Sequence, residues 1–349
     1  MNIQLIRTAI CCLTVGLSLF AGGEKAASQE ATSVSLKAQA IEKGLRYVAS
    51  AGERWIEKRG CVSCHQVPTL IWSHQAAVDL DAPGARDKLR QWSEWSTNVV
   101  NFVKPEQKAD VDHDATMSAN IDTMTQLLLA IPEPPTNTSA RPSTDSAWRT
   151  KFANHLKDEQ APDGSWRACG QLPAQRRPQP ETTATTTAWT SLALLREGVV
   201  FNLQSALEVI DAIENAQSTE FLAARLLLTK QLATTGDISI REKGVEELSL
   251  WRERLIEMQN DDGGWGWKAG ESSDALGTGY ALYALAIAGA DASVLQAATD
   301  HLVSTQEASG RWKVPGTKAS AKGRPTATAN DWGSAWAVIA LSTTVKHDG

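Results

Sequence analysis

Cysteine is scarce in this chain, and so are phenylalanine and tyrosine: 5 Cys, 5 Phe and 3 Tyr occur among 349 residues. Cys11 and Cys12 lie in the N-terminal apolar stretch, and removal of that stretch leaves Cys61, Cys64 and Cys169. An odd number cannot all pair within the chain, which excludes a disulfide-stapled scaffold. Basic clusters are missing too. The formal net charge is -6, the pI is near 5.6, and no Lys/Arg-rich run appears. Nucleic acid, which demands a basic footprint, is therefore not an expected partner. The chain has no glycine-rich dinucleotide fingerprint, no phosphate loop and no Ser-His-Asp ordering of a hydrolase. Long apolar runs are lacking as well. Thr8 to Phe20 falls short of the ~20 residues that a membrane helix needs, so no transmembrane segment is expected in the mature chain.

That N-terminal stretch reads instead as an export signal. Arg7 supplies the positive start, Thr8 to Phe20 the apolar centre, and Ala21, Gly22 and Gly23 a cleavage site of small residues. Thr8 stands where a lipoprotein signal would place an aliphatic residue before Cys11. The expected division is a signal at 1–23, a flexible segment at 24–35 and a folded domain at 36–345, exported to the periplasm or otherwise outside the cytoplasm. An uncleaved N-terminal anchor is the alternative.

Tryptophan, in contrast, is abundant, with 13 residues, and its placement is periodic. Gln160 is followed by Asp163-Gly164-Ser165-Trp166, Gln259 by Asp262-Gly263-Gly264-Trp265-Gly266, and Gln306 by Gly310-Arg311-Trp312. A polar-faced helical stretch precedes each turn (Trp148 to Glu159, Val245 to Met258, Val294 to Thr305) and a more apolar one follows (Thr183 to Leu195, Asp274 to Ala288, Asp331 to Leu341). Gln259 and Gln306 are 47 residues apart, and Gln160 and Gln259 are 99 apart, about two units. The gap holds a hairpin of Leu203 to Ile213 and Thr219 to Leu232. Upstream, Ala38 to Glu57 pairs with Thr69 to Leu80, and Ala85 to Phe102 with Ala115 to Ile131. A hairpin buries little alone, so about six must stack. The expected fold is all-α, an outer and an inner ring of helices. In each turn Gly supplies a left-handed residue, Trp packs across the turn, and the Gln amide caps nearby backbone.

The Gln-x2-Asp-Gly-Ser-Trp and Gln-x2-Asp-Gly-Gly-Trp-Gly turns resemble the QW repeats of the squalene-hopene cyclase and protein prenyltransferase superfamily. The resemblance covers most of the mature chain and implies a single (α/α)6 toroid. Triterpene cyclases place their cavity between two such barrels, and this chain has room for one. The prenyltransferase zinc site is not reproduced, because Leu276 stands where its cysteine would fall, and Asp331 rather than a histidine begins the last inner helix.

The sharpest motif is Cys61-Val62-Ser63-Cys64-His65, in the loop of the first hairpin. Cysteines spaced by two residues form thioethers with haem vinyl groups, and the adjacent histidine ligates the iron. The segment is similar to the attachment motif of c-type cytochromes, which implies one covalent haem c held by Cys61, Cys64 and His65. Zinc would need further ligands, and a redox or structural Cys61–Cys64 pair is the other alternative. His74 and Met117 are candidate second axial ligands, beside a five-coordinate iron. A periplasmic redox partner would follow.

Asp110-Val111-Asp112-His113-Asp114-Ala115-Thr116 is similar to the D-x-D-D-T-A segment of class II terpenoid cyclases, with His113 in place of an aspartate. The resemblance implies Asp112 and Asp114 as catalytic carboxylates acting on a hydrophobic small molecule. A helix N-cap with Asp114 at the cap is the competing reading. Arg177-Pro178 and Arg324-Pro325 each precede an inner helix and are candidates for binding haem propionates or an anionic substrate, with helix capping by the Pro-Thr entry as the competing reading. The leading expectation is an exported c-type haem protein on a cyclase-like toroid with a redox or electron-transfer role. The alternatives are a terpenoid cyclase-like enzyme and a non-catalytic binding scaffold.

Overall fold

The computed structural model describes residues 17–62, 65–78, 85–132, 147–169 and 175–347. Two compact units divide the chain, Met1–Gln39 and Ala40–Gly349. Most of the expected signal segment lies outside the described residues. The stretch 24–35 falls within α1 (Leu17–Arg59). Seven of its twelve residues are Ala, Glu, Lys or Gln, strong helix formers.

The second unit holds the hairpins. Its outer helices are α1 from Ala40 onward, α3 (Ala85–Ser96), α6 (Ala147–Asp158), α8 (Leu203–Asp211), α10 (Ile238–Ile256) and α12 (Ala292–Thr305). Its inner helices are α2 (Val67–Ala77), α5 (Ile121–Ala130), α7 (Gln179–Arg196), α9 (Thr219–Leu232), α11 (Ala275–Ile287) and α13 (Ala327–His347). Each inner helix packs on the next, and α13 packs on α2, so the inner ring closes. Composition explains which helix goes inside. Every residue of α11 from Ala275 to Ala286 is buried, whereas α10 buries only Gly244, Trp251 and Leu255. No strand occurs among the described residues. The expected (α/α)6 toroid is the observed fold.

The second hairpin departs from expectation. The stretch Ala85 to Phe102 breaks into α3 and a 3-10 turn, Val99–Phe102, where the Asn98 side chain accepts from the Val100 N–H. Ala115 to Ile131 breaks as well, into α4 (His113–Ser118) and α5. Asn120 lies between them with φ -132° and ψ 35°, outside the helical region. Asn and Ser offer the backbone local alternatives to helix, which weakens a continuous inner helix here.

The Gln and Trp residues form one repeated staple. The Nε1–H groups of Trp166, Trp265 and Trp312 donate to the carbonyls of Leu156, Leu255 and Leu302 at 2.6, 2.8 and 2.8 Å, near the ends of their outer helices. Their backbone N–H groups donate to Thr187, Thr278 and Ser334 hydroxyls on the inner helices. Each tryptophan thus donates to a carbonyl in the last turn of one helix and anchors to the other. The glutamines reach further. Gln160, Gln259 and Gln306 donate to the glycine carbonyl of their own turn and also to Asn202, Val294 and Ala40, at the start of the next unit. The bond from Gln306 to Ala40 joins the last hairpin to the first.

Aromatic side chains occupy the middle of the ring. Trp72 of α2 meets Trp189 of α7 at 6.2 Å between ring centroids, and Trp189 meets Trp336 of α13 at 6.2 Å. These helices are not neighbours in the ring, so the contacts run across the lumen. Tyr280 stacks on Trp336 at 4.0 Å, and Tyr283 meets it at 5.7 Å. The barrel is packed with rings rather than open.

Candidate functional site at the toroid mouth

The first hairpin lacks the tryptophan turn and closes differently. Gly60, with φ +61°, ends α1 in the left-handed region. The Trp55 indole on the outer helix donates to the Cys61 carbonyl at 2.8 Å, and the Val62 N–H donates to the Asn101 carbonyl of the second hairpin at 2.6 Å. Both bonds hold the loop that carries the cysteine pair. Ser63 and Cys64 lie outside the described residues.

His65 follows at the entry to α2 and is 4% exposed. Its carbonyl accepts from the Thr69 hydroxyl at 2.9 Å. Its ring lies between Trp332 and Trp55, with centroids 5.8 and 6.3 Å away. Burial, and secondarily the Lys318 charge, push its pKa down to about 4. Near pH 7 the imidazole is therefore neutral, the form that ligates a metal. Asp331 braces this corner, accepting from the Tyr47 hydroxyl at 2.6 Å and from the Gln66 amide at 3.4 Å.

His65 and Trp332 form one wall of a cavity of about 610 Å³. A loop from Pro315 to Pro325 forms the other. It is closed by the bond from the Gly316 N–H to the Arg324 carbonyl at 2.9 Å and tied to the third hairpin by the Arg176 N–H, which donates to Thr317. This loop brings Lys318 and Arg324 to the cavity, and Gln175 joins them from the segment before α7. The Trp332 Nε1–H is buried and has no hydrogen-bond partner among the described residues. A cavity of this size is typical of small-ligand sites. Among the described residues no group of three His, Cys, Asp or Glu side chains could hold a metal ion.

The sequence-derived candidates separate on this map. His65 and Arg324 come together at the cavity. Arg177 does not. It is buried in an ion pair with Glu220 at 2.7 Å, lies over the Trp267 ring at 5.4 Å and is committed to joining α7 and α9. Cys61 is half-buried and does not line the cavity, and burial raises its thiol pKa. His74 is buried within α2, its Nδ1 2.8 Å from the Leu70 carbonyl and its ring against Trp92 at 4.9 Å. Burial pushes its pKa down to about 4. Met117 is packed in the core of α4. Asp112 and Asp114 are exposed. Asp112, rather than the expected Asp114, is the N-cap of α4 and accepts from the N–H groups of Asp114 and Ala115 at 3.0 Å. The capping bonds account for the position of Asp112 at the start of α4.

Lys318, Trp332 and Gln175 were not legible as site residues, because a loop from the last hairpin and a segment from the third must first meet. Asp122 had a signal in the sequence: an acidic residue on the apolar helix Ile121–Ala130. It is buried and accepts from the Cys169 N–H at 2.7 Å and the Thr186 hydroxyl at 2.9 Å. Desolvation raises its pKa to about 7 against the opposing pull of those bonds. The folded state thus retains a proton that the unfolded chain loses above pH 3.8. This contribution to stability is complete below pH 3.8 and disappears as pH rises through about 7. Asp122→Asn is expected to remove a decline on the order of 4 kcal/mol across that window, read from denaturant midpoints at a series of pH values. An unchanged pH slope would contradict it.

No family model matches this chain. A stretch of 59 residues is 42% identical to drimenyl diphosphate synthase of Streptantibioticus cattleyicolor, covering 17% of this chain and 11% of that enzyme. Among solved structures, a possible member of the GH105 family from Salmonella enterica is similar at TM-score 0.54 and 13% identity, over 89% of this chain and 94% of that one. A type II terpene cyclase from Scytonema, solved with geranylgeranyl dihydroxybenzoate, is similar at TM-score 0.52 and 13% identity, over 89% and 99% of the two chains. Identities this low establish architecture. The second unit is an α/α toroid, a fold shared with type II terpene cyclases and GH105-like proteins.

Proposed function

We propose that this chain is an exported c-type haem protein, with one haem attached through Cys61 and Cys64 at the mouth of the toroid, and that its role is redox. The observation that supports this most is the position of His65, the motif's own histidine, neutral and at the wall of a 610 Å³ cavity faced by two cationic side chains. The donor set suits haem better than a bare metal ion, because the tetrapyrrole supplies the equatorial nitrogens and the protein need offer only axial ligands. His65 would be one of these. Lys318 and Arg324 would pair with the two carboxylates, the Trp332 ring would lie against the macrocycle, and its orphan indole N–H would find an acceptor. Bound there, haem supplies a one-electron centre. The chain's own residues orient His65 through Thr69, Gln66 and Asp331, and exclude water with Trp55 and Trp332.

The test is a mass measurement on the proteolytic peptide spanning residues 61–65, from full chain exported in cells that attach haem to such motifs. A covalent tetrapyrrole adduct is expected. Unmodified thiols, or a Cys61–Cys64 disulfide, would overturn the reading.

The comparisons bear on a second reading, action on a hydrophobic substrate in the manner of the terpene cyclases, and do not bear on haem. The specific observation favouring it is Asp122, which holds its proton near neutrality as an alkene-protonating acid must. The space beside Asp122 is only about 10 Å³, no more than one water requires. Turnover would require the aromatic lumen to open. Incubation with polyprenyl diphosphates of several lengths, scored for cyclised products lost in Asp122→Asn, tests it, and absence of product would remove it.

A further inference from the structure

We infer that the mouth cavity binds a small hydroxylated organic anion, its charged group a carboxylate or a phosphate. The inference does not rest on the haem reading. Cys61 does not line the cavity, so a ligand there need not be joined to that loop. A free anion and haem carboxylates would compete for the same two cations, which lets one experiment separate them.

The lining is one-sided in charge. Lys318 and Arg324 face the cavity, and no Asp or Glu does, although the chain as a whole has a net charge of -6. The adjoining segments outside the described residues, 63–64 and 170–174, contain no acidic residue either. Two neighbouring arginines show how the fold treats a cation that it uses for itself. Arg176 is paired with Glu271 at 2.5 Å, and Arg177 with Glu220 at 2.7 Å. Lys318 and Arg324 make no ion pair among the described residues, and the Arg324 guanidinium has only a long contact, 3.5 Å, with the Ala321 carbonyl. Like charges that face one cavity repel, and an anion between them relieves that cost.

The loop that carries both cations is fixed by its own backbone. The Thr317 carbonyl accepts from the Arg176 N–H at 2.9 Å, the Ala321 N–H donates to Lys318 at 3.0 Å, and the Arg324 N–H donates to Ala321 at 3.0 Å. Order of this kind spares a ligand the entropy of assembling its site. The start of α13 adds positive potential, since Thr326, Thr328 and Ala329 line the same cavity.

The rest of the wall selects the body of the ligand. The hydroxyls of Thr317, Ser320 and Thr328 make no hydrogen bond among the described residues. An apolar body would desolvate them without replacing the lost bonds, a cost that a hydroxylated one avoids. The volume, about 610 Å³, exceeds what a bare phosphate fills and suits an organic molecule.

The test is calorimetric titration of the full exported chain with glucuronate, glucose 6-phosphate, glucose and inorganic phosphate, with the Cys61→Ser/Cys64→Ser variant in parallel. Glucuronate or glucose 6-phosphate should bind at sub-millimolar concentration, and the tighter of the two identifies the charged group. Lys318→Ala/Arg324→Ala should weaken that binding on the order of 100-fold, about tenfold for each charge-assisted contact. Lys322→Ala removes a cation from the same loop but not from the cavity lining, and should leave binding unchanged. Equal binding of glucose, or equally tight binding of phosphate alone, would overturn the inference, as would no binding of any probe. Binding confined to the cysteine variant would place haem in the cavity, overturning this inference and upholding the haem reading. Binding in a parent chain that carries no haem would uphold this inference and overturn the haem reading.

Discussion

Trp265→Ala is expected to cost about 4 kcal/mol of folding free energy, the middle of the range for truncating a fully buried tryptophan. The side chain has no exposed surface. Its loss leaves a cavity between α10 and α11 and strips the Leu255 carbonyl of its only indole donor, 2.8 Å away. That carbonyl lies in the last turn of α10, where it keeps only a longer bond from the Met258 N–H at 3.3 Å and the C-cap contact of Glu257. Trp265→Phe separates the two contributions, since it retains most of the apolar contact and removes the N–H. It should cost about 1–2 kcal/mol more than a volume-conserving core change. Denaturant midpoints of the three proteins measure both. A cost under 1 kcal/mol for the alanine variant would mean that the turn tryptophans do not staple the hairpins.

Gly310→Ala should be nearly as damaging, for a different reason. Gly310 has φ +86°, and a Cβ built there would lie 2.2 Å from the Lys43 carbonyl oxygen. That oxygen is backbone of α1, so it cannot swing aside. The clash falls where the last hairpin meets the first, beside the bond from Gln306 to the Ala40 carbonyl at 2.9 Å. Gly289 is the matched control. It has φ +69° and nothing within 4 Å of its notional Cβ. Gly289→Ala therefore incurs only the left-handed penalty of roughly 1–2 kcal/mol. Gly310→Ala is expected to exceed it by about 2 kcal/mol or more, in the range of overpacked cores. Equal costs at the two positions would show that ring closure is loose.

The same residues show why some of the molecule was readable beforehand. A Trp N–H that reaches the carbonyl ten residues back needs a constant turn length, and Leu156/Trp166, Leu255/Trp265 and Leu302/Trp312 all have it. Local chemistry at fixed spacing leaves a trace in sequence, so the toroid was legible. The two arginines before Pro178 and Pro325 show the converse. They look alike in sequence, yet Arg177 is consumed by Glu220, which stands 43 positions on, while Arg324 reaches the mouth. Nothing near Arg177 in the chain announces that partner. Asp112 was likewise ambiguous, because a carboxylate that caps a helix and one that protonates a substrate carry the same residue before the same kind of helix. The structure shows Asp112 exposed and capping α4. Lys318 could not be found in advance at all, since its loop gains meaning only once Gly316 and Arg324 pair and the ring brings His65 opposite.

Covalent haem on the Cys61–His65 loop is the proposal on which the redox role depends. Its most direct test is the pyridine haemochrome spectrum of denatured, exported protein, with the Cys61→Ser/Cys64→Ser double variant in parallel. One thioether-linked haem per chain is expected in the parent and none in the variant. A parent protein without a covalent haem band, exported alongside a c-type cytochrome that does acquire haem, would rule out haem attachment at this loop.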